Sequence, residues 1–425
     1  MTESPVAAEF ERAATYITRD LARSTLMEMI DIRTPTGDEG ELARYIVTRL
    51  TQLGVPARLQ AVSENRPNAV ASIAGAGGGY NVLLTGHMDT SYDGTEEYLH
   101  GEGFKAKAIN RDDWIWGLGA INMKGGLSAA LLAFEAVKKS GLQLRGDLSL
   151  GAVVGEIEKA PVEEFQGENF AGYGTGTRHL VLHGLSADFA ILAEHTAFKI
   201  GLGNLGCIWA KITTRGTTAH SALTNRPGIE NAIARMHQVQ SAIASWGAKY
   251  SEKCQFMGER PNVTVAAIRG GLPWRLSRNP VECNLYLDIR TVPGQSTEEV
   301  KRDLRSVLQA CAKEKGMVEP ELEFYLNDPP TQIDRNLPVV QALTAAHTSV
   351  IGTSPEMVTR RPAADSTHLT RYDVPCVVYG PGGRLHPDVR GQMHAAGEHI
   401  HVEDVVTAAR VYLATILRLA NQSPG

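Results

Sequence analysis

The chain has 425 residues, of which 43% are hydrophobic and 21% are charged, and its formal net charge is −5. This length favours two domains, and the composition is that of a soluble globular protein. The slightly acidic balance gives no electrostatic basis for binding nucleic acid or an anionic membrane surface.

The cysteines and the N-terminal residues bear on where in the cell the protein is expected. Five cysteines lie far apart without a C-x-x-C pair, which predicts reduced, mostly buried thiols. The first residues, MTESPVAAEFERA, lack the basic and apolar regions of a signal peptide. No apolar run is long enough to cross a bilayer. We therefore expect a cytoplasmic protein with no membrane partner.

The first part of the chain alternates between predicted helices and strands. Apolar residues from Phe10 to Leu21 recur at helical spacing and predict one helix that ends before Pro35, and TGDEGELARYIVTRL predicts a second. The runs NAVASIAG, NVLLTGHMD, LSLGAVVG and FAILAEH predict buried strands, with a helix between WGLGAINMKGG and Gly141. This alternation predicts an α/β domain with a mostly parallel sheet and helices on both faces.

The pattern changes after Lys199. Three β-branched, alternating runs and two helical runs predict an inserted α+β domain over residues 200–319. Beyond residue 320, VPCVVYGPGG and VEDVVTAARVYLATILRLA predict a strand and a closing helix of the first domain. We therefore expect a discontinuous first domain over residues 1–199 and 320–425.

Polar side chains with metal-binding or acid–base chemistry follow several predicted strands. They are His87 and Asp89 in GHMDT, Glu156 after LSLGAVVG, and Glu194 after FAILA, with Asn122 in the glycine-rich turn before a helix. Sites in open α/β sheets form at the carboxyl ends of strands, so these residues are candidates for one site. Each also has a structural interpretation: a capped turn, a left-handed turn residue or a solvated acid.

Two histidine-containing stretches are further candidates. His220 lies in RGTTAHSALTN, a loop before a helix of the inserted domain. His394, His399 and His401 lie in GQMHAAGEHIHVED, whose spacing is also compatible with a partly exposed polar loop.

Taken together, these stretches resemble the co-catalytic metallo-aminoacylase and carboxypeptidase family, which includes acetylornithine deacetylase and succinyl-diaminopimelate desuccinylase. The matching motifs run from GHMDT through WGLGAINMKGG to MHAAGEHI, and so cover nearly the whole chain. The resemblance implies a metallo-hydrolase domain with an inserted dimerisation (lid) domain. It also implies two metal ions bridged by an Asp and a water molecule.

The resemblance also implies roles for individual residues. His87 and Glu194 would hold one metal, with Asp89 behind His87, and Glu156 would be the general base. His394 would belong to the second metal. A histidine in the position of His220 would reach the active site of the partner subunit and stabilise developing negative charge.

Two positions depart from the family pattern. The bridging Asp of the family motif is Asn122, and the second residue of the Glu-Glu pair is Ile157. An Asn contributes a neutral oxygen and an Ile contributes no ligand, so two adjacent cations would lack anionic compensation. We therefore expect one divalent transition metal, Mn or Zn with Co as a further option, weakly held by His87, Asn122 and Glu194. His394 would be a vestige of the second site.

The substrate-binding motifs also differ from the family pattern. The stretch Ser277–Pro280 reads SRNP where the family often carries Asn-x-Ile-Pro, and AADSTHL, with Asp365, replaces Asp-Ala-Arg. Candidates for binding a substrate carboxylate are therefore Arg275, Arg278, Arg361 and His368. Surface or ion-pair roles are the alternative for each arginine.

These features predict a metal-dependent hydrolase that acts on a C–N bond of a small, carboxylate-bearing substrate. The motif set is most similar to the branch of the family that contains 5-nitroanthranilate aminohydrolase, which implies hydrolytic deamination of an aromatic amino acid with release of ammonia. One alternative is an N-acyl-amino-acid deacylase or dipeptidase. A second is a non-catalytic binding protein derived from the family. We expect a homodimer or higher homo-oligomer with His220 acting in trans.

Overall fold

The computed structural model describes residues 5–185, 187–389 and 397–424. The chain forms two compact units. The first comprises Met1–Gly203, Gln332–Val358 and Ala364–Gly425, and the second comprises Asn204–Thr331 and Thr359–Ala363. None of the helices within the described ranges is both long enough and apolar enough to span a membrane.

The helices are numbered in chain order. They are α1 (Pro5–Ala14), α2 (Arg19–Asp31), α3 (Gly40–Gln52), α4 (Lys124–Lys139), α5 (Thr175–Leu182), α6 (Ala232–Ser251), α7 (Thr297–Lys315), α8 (Pro338–Ile351), α9 (Ser366–Arg371) and α10 (Val402–Leu419).

The strands are numbered in the same way. They are β1 (Ala57–Ser63), β2 (Arg66–Ile73), β3 (Val82–His87), β4 (Ile109–Arg111), β5 (Trp114–Trp116), β6 (Leu148–Val153), β7 (Phe189–Leu192), β8 (Ile200–Asn204), β9 (Gly206–Arg215), β10 (Asn262–Gly270), β11 (Glu282–Thr291), β12 (Glu321–Asp328), β13 (Thr331–Gln332), β14 (Met357–Arg360), β15 (Cys376–Val378) and β16 (His399–His401).

The large sheet has the order β1-β2-β6-β3-β7-β15-β8-β13, and β14 pairs with β8. Its centre is parallel, because β3 pairs in parallel with β6 and β7, and β15 pairs in parallel with β7. Antiparallel pairs flank this centre at β1-β2, β2-β6 and β15-β8. Every residue of β3, β6 and β7 is buried, as expected for parallel strands covered on both faces. The predicted α/β class is confirmed.

Helix α4 packs closely on this sheet because it begins with glycines. A Cβ atom on Gly126 would lie 1.7 Å from the carbonyl oxygen of Ala193, so any larger residue would push the helix away from the end of β7. Helix α4 also packs against α10, which in turn contacts α8. These buried helices and strands form the main hydrophobic core of the first unit.

A small antiparallel sheet of the first unit, β16-β5-β4, brings the end of the chain to the turn that carries Asn122. His399 pairs with Trp116 in this sheet and stacks on its ring with centroids 4.3 Å apart. His401 caps α10 by accepting a hydrogen bond from the backbone N–H of Glu403. These two histidines lie in a strand rather than in a loop, and His399 is buried while His401 is partly exposed.

The second unit consists of the antiparallel sheet β10-β11-β9-β12 with α6 and α7. Apolar residues of α6, α7, β9 and β11 form its own hydrophobic core. The sequence pattern predicted that the inserted domain ends at residue 319, before β12. Strand β12 nevertheless pairs with β9, and the second unit extends to Thr331.

The N-terminal helix differs from the single helix expected from its periodicity. It divides into α1 and α2, because Thr18 caps α2 by accepting a hydrogen bond from the backbone N–H of Leu21. Ile17, in the connecting turn, is still buried in the core, so the apolar spacing continues across the break. All five cysteines are free thiols, and four of them are buried, as the sequence predicts.

Candidate metal centre

Adjacent parallel strands bring three ionisable side chains to the same edge of the large sheet. His87 ends β3, while Glu156 and Glu194 follow the neighbouring strands β6 and β7. All three side chains are buried. The carboxyl ends of parallel strands meet at one edge, which is why residues so far apart in sequence converge here.

The imidazole of His87 is oriented by its own strand end. Its Nδ1–H donates to the carbonyl oxygen of Asp89 at 2.9 Å, and this leaves Nε2 facing the other polar groups. Nε2 lies 3.2 Å from Asn122 Oδ1, 3.3 Å from Glu194 Oε1 and 3.5 Å from Glu156 Oε2. Three side-chain oxygens therefore surround Nε2, the atom with which His87 would bind a metal.

Asp89 connects the end of β3 to the segment that carries Glu156. Its carboxylate accepts hydrogen bonds from the Thr36 hydroxyl at 2.9 Å and from the backbone N–H groups of Glu156 and Ile157 at 3.0 and 3.1 Å. Burial raises the pKa of Asp89, but the His87 ring and these donors outweigh burial and leave the pKa below its usual value. An ionised Asp89 therefore fixes both His87 and the segment that carries Glu156.

Asn122 is held by a residue to which the sequence analysis assigned no role. One carboxylate oxygen of Glu398 accepts the backbone N–H groups of Ile121 and Asn122 at 2.9 and 2.8 Å. The peptide bond between Asn122 and Met123 is cis. The side chain of Glu398 is half-buried, and its carboxylate anchors the turn that carries Asn122. Its position in MHAAGEHI was the available sequence signal.

The electrostatics of the centre favour a cation. Burial lowers the pKa of His87, but Glu156, Asp89 and Glu194 outweigh burial and hold that pKa well above its usual value. Burial raises the pKa of Glu156 well above the ordinary carboxyl value, and neighbouring carboxylates add to this effect. Burial likewise raises the pKa of Asp365, a fourth nearby carboxyl group, to about 7. The His87 ring lowers the pKa values of both carboxyl groups, but burial outweighs this effect.

The donor set fits one divalent metal ion. His87, Glu156 and Glu194 place ligand atoms within 4.8 Å of one another, and no other cluster of this kind occurs among the residues described. An imidazole with carboxylate and amide oxygens suits Zn or Mn. Where a second metal would require a carboxylate, the side chain of Ile157 is buried and apolar. His394, the expected remnant of a second site, lies outside the described residues.

The other predicted residues lie elsewhere in the chain. His368 is buried in the first unit, and both its ring and Asp365 pack against Gly174. His220, Arg275 and Arg278 are exposed residues of the second unit.

The last of the predicted arginines, Arg361, also belongs to the second unit and forms an ion pair with Glu259 at 2.8 Å. Five predicted residues therefore converge on one site: His87, Asp89, Asn122, Glu156 and Glu194.

Comparison with known proteins identifies the family of the chain. The profile of peptidase family M20/M25/M40 matches residues 83–418. The chain is 25% identical over 412 residues, 90% of each protein, to N-formyl-4-amino-5-aminomethyl-2-methylpyrimidine deformylase of Bacillus subtilis (strain 168). It is 26% identical over 400 residues to an acetylornithine deacetylase of Myxococcus xanthus, covering 92% of this chain and 95% of the relative.

A crystal structure of a tripeptidase from Staphylococcus aureus has the same fold, with a TM-score of 0.75 at 19% identity, over 95% of this chain and 99% of the tripeptidase. The resemblance found in the sequence motifs is thus confirmed by the family profile and by the fold. The candidate metal centre lies within the matched residues. The chain belongs to peptidase family M20/M25/M40 and is a metal-dependent hydrolase of C–N bonds.

Proposed function

We propose that the protein binds one divalent metal and deaminates a small aromatic amino acid of the 5-nitroanthranilate type, with release of ammonia. The proposal of one metal ion rests on Asn122 and Ile157, because neither side chain carries a negative charge. The carboxylates beside His87 Nε2 are therefore those of Glu156 and Glu194. The resemblance to the aminohydrolase branch supports deamination. The deformylase relative, by its name, acts on an aminopyrimidine, which supports a substrate with an amino-substituted ring but not its deamination.

His87, Asn122 and Glu194 would hold the metal, which we take to be Mn, Zn or Co. When bound there, it would supply Lewis-acid polarisation and a point of attachment for an ortho carboxylate and amine. With one anionic residue, Glu194, among these three ligands, binding should be weak. Asp89 keeps His87 in the tautomer that leaves Nε2 available.

Glu156 is the proposed general base, since its buried carboxylate lies 3.5 Å from His87 Nε2. It would take a proton from water as the water oxygen bonds to the ring carbon that carries the amine. The electron-poor ring holds the added electron pair until the C–N bond breaks. Glu156 then returns its proton to the nitrogen, so the ring gains a hydroxyl group and ammonia leaves.

His220 is the proposed donor to the negative charge that develops on the substrate, acting from a second copy of the chain in a homodimer. Its Nδ1 accepts the backbone N–H of Ala222 at 3.1 Å, so the neutral ring carries its proton on Nε2 and is able to donate. Arg275 and Arg278 follow in the same unit and offer charges for a substrate carboxylate. Arg361 is a weaker candidate because Glu259 already pairs with it.

The second candidate function is a deacylase or dipeptidase that acts on an N-acyl amino acid. The named activities of the deformylase and deacetylase relatives favour it. The two functions differ in their products, because deamination yields ammonia and deacylation yields a carboxylic acid with an amine.

The test is a substrate panel of aminobenzoates, including 2-amino-5-nitrobenzoate, and N-acyl amino acids with Mn, Zn or Co. We expect ammonia from the nitro-substituted aminobenzoate and none after chelation of the metal. Glu156→Gln should lower kcat by at least about 100-fold while still binding metal. Release of acid and amine from the acyl substrates alone would contradict deamination, and full activity of Glu156→Gln would contradict the role of the base.

A further inference from the structure

Asp365 has one carboxylate oxygen with a partner and one without. It stands at the start of α9, and its Oδ2 accepts a hydrogen bond from the Thr177 hydroxyl at 2.7 Å. Its Oδ1 is buried and has no hydrogen-bond partner among the residues that the structure describes. The residue is 1% exposed, so bulk water does not complete its hydrogen bonding. A buried acceptor without a donor is costly, which suggests that the donor comes from a ligand.

A comparison within the same site shows what a purely structural carboxylate looks like. Asp89 is equally buried, and both of its oxygens accept hydrogen bonds from the protein. Asp365 lies close enough to interact electrostatically with His87, Glu194 and Glu156. It therefore belongs to the same buried site, but it differs from Asp89 in keeping one acceptor unused.

The charges indicate what kind of donor would be favoured. Four buried carboxyl groups, those of Asp89, Glu156, Glu194 and Asp365, face one imidazole. A single divalent cation compensates two negative charges, so the site retains an excess of acceptors. A nitrogen that gains a proton as it leaves the substrate becomes more positive and is attracted to such a site.

We propose that Asp365 accepts a hydrogen bond from the amino group of the substrate and holds this nitrogen as it departs as ammonia. This inference rests on the proposed function for the identity of the leaving group. Asp365 would thus be a specificity-determining residue that separates free amines from ligands without an amino group. The covalent step is unchanged, because the proton that the nitrogen gains comes from Glu156.

The test compares two ligands that differ only in the amino group. Affinities of 2-aminobenzoate and benzoate are measured by calorimetry with Mn-loaded wild-type protein and with Asp365→Asn. The Asn variant keeps an acceptor for Thr177 but places a neutral amide at the free position. We expect its preference for 2-aminobenzoate to fall by about tenfold or more relative to wild type, with the Mn affinity changed by less than about threefold.

Thr177→Val is the matched control, because it removes the donor to Oδ2 and leaves Oδ1 intact. It should retain most of the preference for 2-aminobenzoate. An unchanged preference in Asp365→Asn would overturn the proposal, and so would an equal loss in Thr177→Val. If Asp365→Asn does not fold, Asp365→Ser serves the same purpose. Failure of the proposed function is seen separately, as an absence of ammonia release by wild-type protein, since the binding comparison needs no turnover.

Discussion

Asn122 and Ile157 stand at two positions where the motif resemblance implies acidic metal ligands. In the proposed one-metal site, these two residues would leave a second metal without its bridge and one ligand, while His87 and Glu194 remain. We predict that Asn122→Asp combined with Ile157→Glu raises the metal content from one to two ions per chain, measured by elemental analysis after dialysis. Ile157→Glu alone should lower stability, because it buries an uncompensated carboxylate. Two tightly bound ions in wild-type protein would refute the one-metal assignment.

His87 links metal binding to pH. Burial disfavours its charged form, yet Glu156, Asp89 and Glu194 outweigh burial and hold its pKa well above the usual value, so the metal-free protein carries a proton there. The metal must displace this proton, and metal affinity should therefore rise with pH. Calorimetry in two buffers of different ionisation enthalpy should detect about one proton released per metal from His87. An affinity that is independent of pH would contradict this prediction.

The raised pKa values in the site also predict how the stability of the metal-free protein depends on pH. The raised pKa values of His87 and Glu156 mean that the folded state binds protons more tightly than the unfolded state. Their contribution to stability is present below the unfolded pKa values and is lost as pH rises through the folded ones. The melting temperature of metal-free protein should thus fall as pH rises, whereas bound metal should reduce this slope. Glu156→Gln should also reduce it.

The site residues that could be predicted from the sequence each lie next to a recognisable local pattern. His87, Glu156 and Glu194 end buried apolar runs, and Asn122 precedes a helix. Glu398 lies in the motif MHAAGEHI, but the motif does not show its role, which depends on hydrogen bonds to a turn 276 residues away. Asp365 was visible as a retained motif residue, but its unpaired oxygen appears only once α5 and α9 are packed together.

At the scale of secondary-structure elements, a buried ion pair fixes the segment that follows β6. Arg66 on β2 forms two hydrogen bonds to Glu39 before α3, at 2.9 and 2.8 Å. The same guanidinium donates to the carbonyl oxygens of Glu168 and Ala171, and Glu39 also accepts the backbone N–H of Gly155. This network ties the strand after which Glu156 lies to the neighbouring helix and loop.

We predict that Arg66→Met lowers the free energy of unfolding by about 3–5 kcal/mol, because it leaves Glu39 buried without its partner. The double variant Arg66→Met/Glu39→Met should be less destabilised than the sum of the single variants. Arg33→Met is a suitable control, since Arg33 pairs with Asp38 and Asp93 at the surface and should contribute less than about 1 kcal/mol. Urea unfolding of these variants and of Glu39→Met provides the comparison. Equal effects at Arg66 and Arg33 would contradict the argument.

Helices and strands could be predicted where the apolar residues recur with a clear period. The prediction failed where contacts between distant residues determine the limits of an element or the unit to which it belongs. The long runs of β3, β6 and α10 were predictable from their apolar patterns. The break between α1 and α2 was not, because Ile17 in the turn remains buried and continues the helical spacing. Strand β12 was missed as part of the second unit, since its membership follows from pairing with β9 rather than from its own residues.

At the scale of the whole molecule, the second unit has an edge suited to a second copy of the chain. In the described part of this unit, β10 stands at the end of the sheet order, and most of its residues are exposed. Ile268 on this strand is 53% exposed, and Trp274 and Leu276 in the following loop are 77% and 82% exposed. Unpaired edge strands with apolar side chains favour association with another strand.

We predict a homodimer in light scattering and a shift toward monomer in Ile268→Lys, because a charge at the edge opposes pairing. Val318→Lys is the control: Val318 is 70% exposed in the same unit but lies outside the strands of its sheet, so it should leave the dimer intact. A monomeric wild-type protein, or equal effects of both substitutions, would contradict an interface at β10.

If dimerisation brings His220 to the active site of the partner, two inactive variants should complement each other. His220→Ala lacks the donor, and Glu156→Gln lacks the base, so each homodimer should be inactive. A mixed dimer would contain one site with Glu156 from one chain and His220 from the other, and one site with neither. Mixing the variants under conditions that allow subunit exchange should therefore restore about a quarter of wild-type activity, because half of the dimers are mixed and each has one competent site. If His220 instead acts within its own chain, no mixture contains a complete site and activity stays at the level of the single variants.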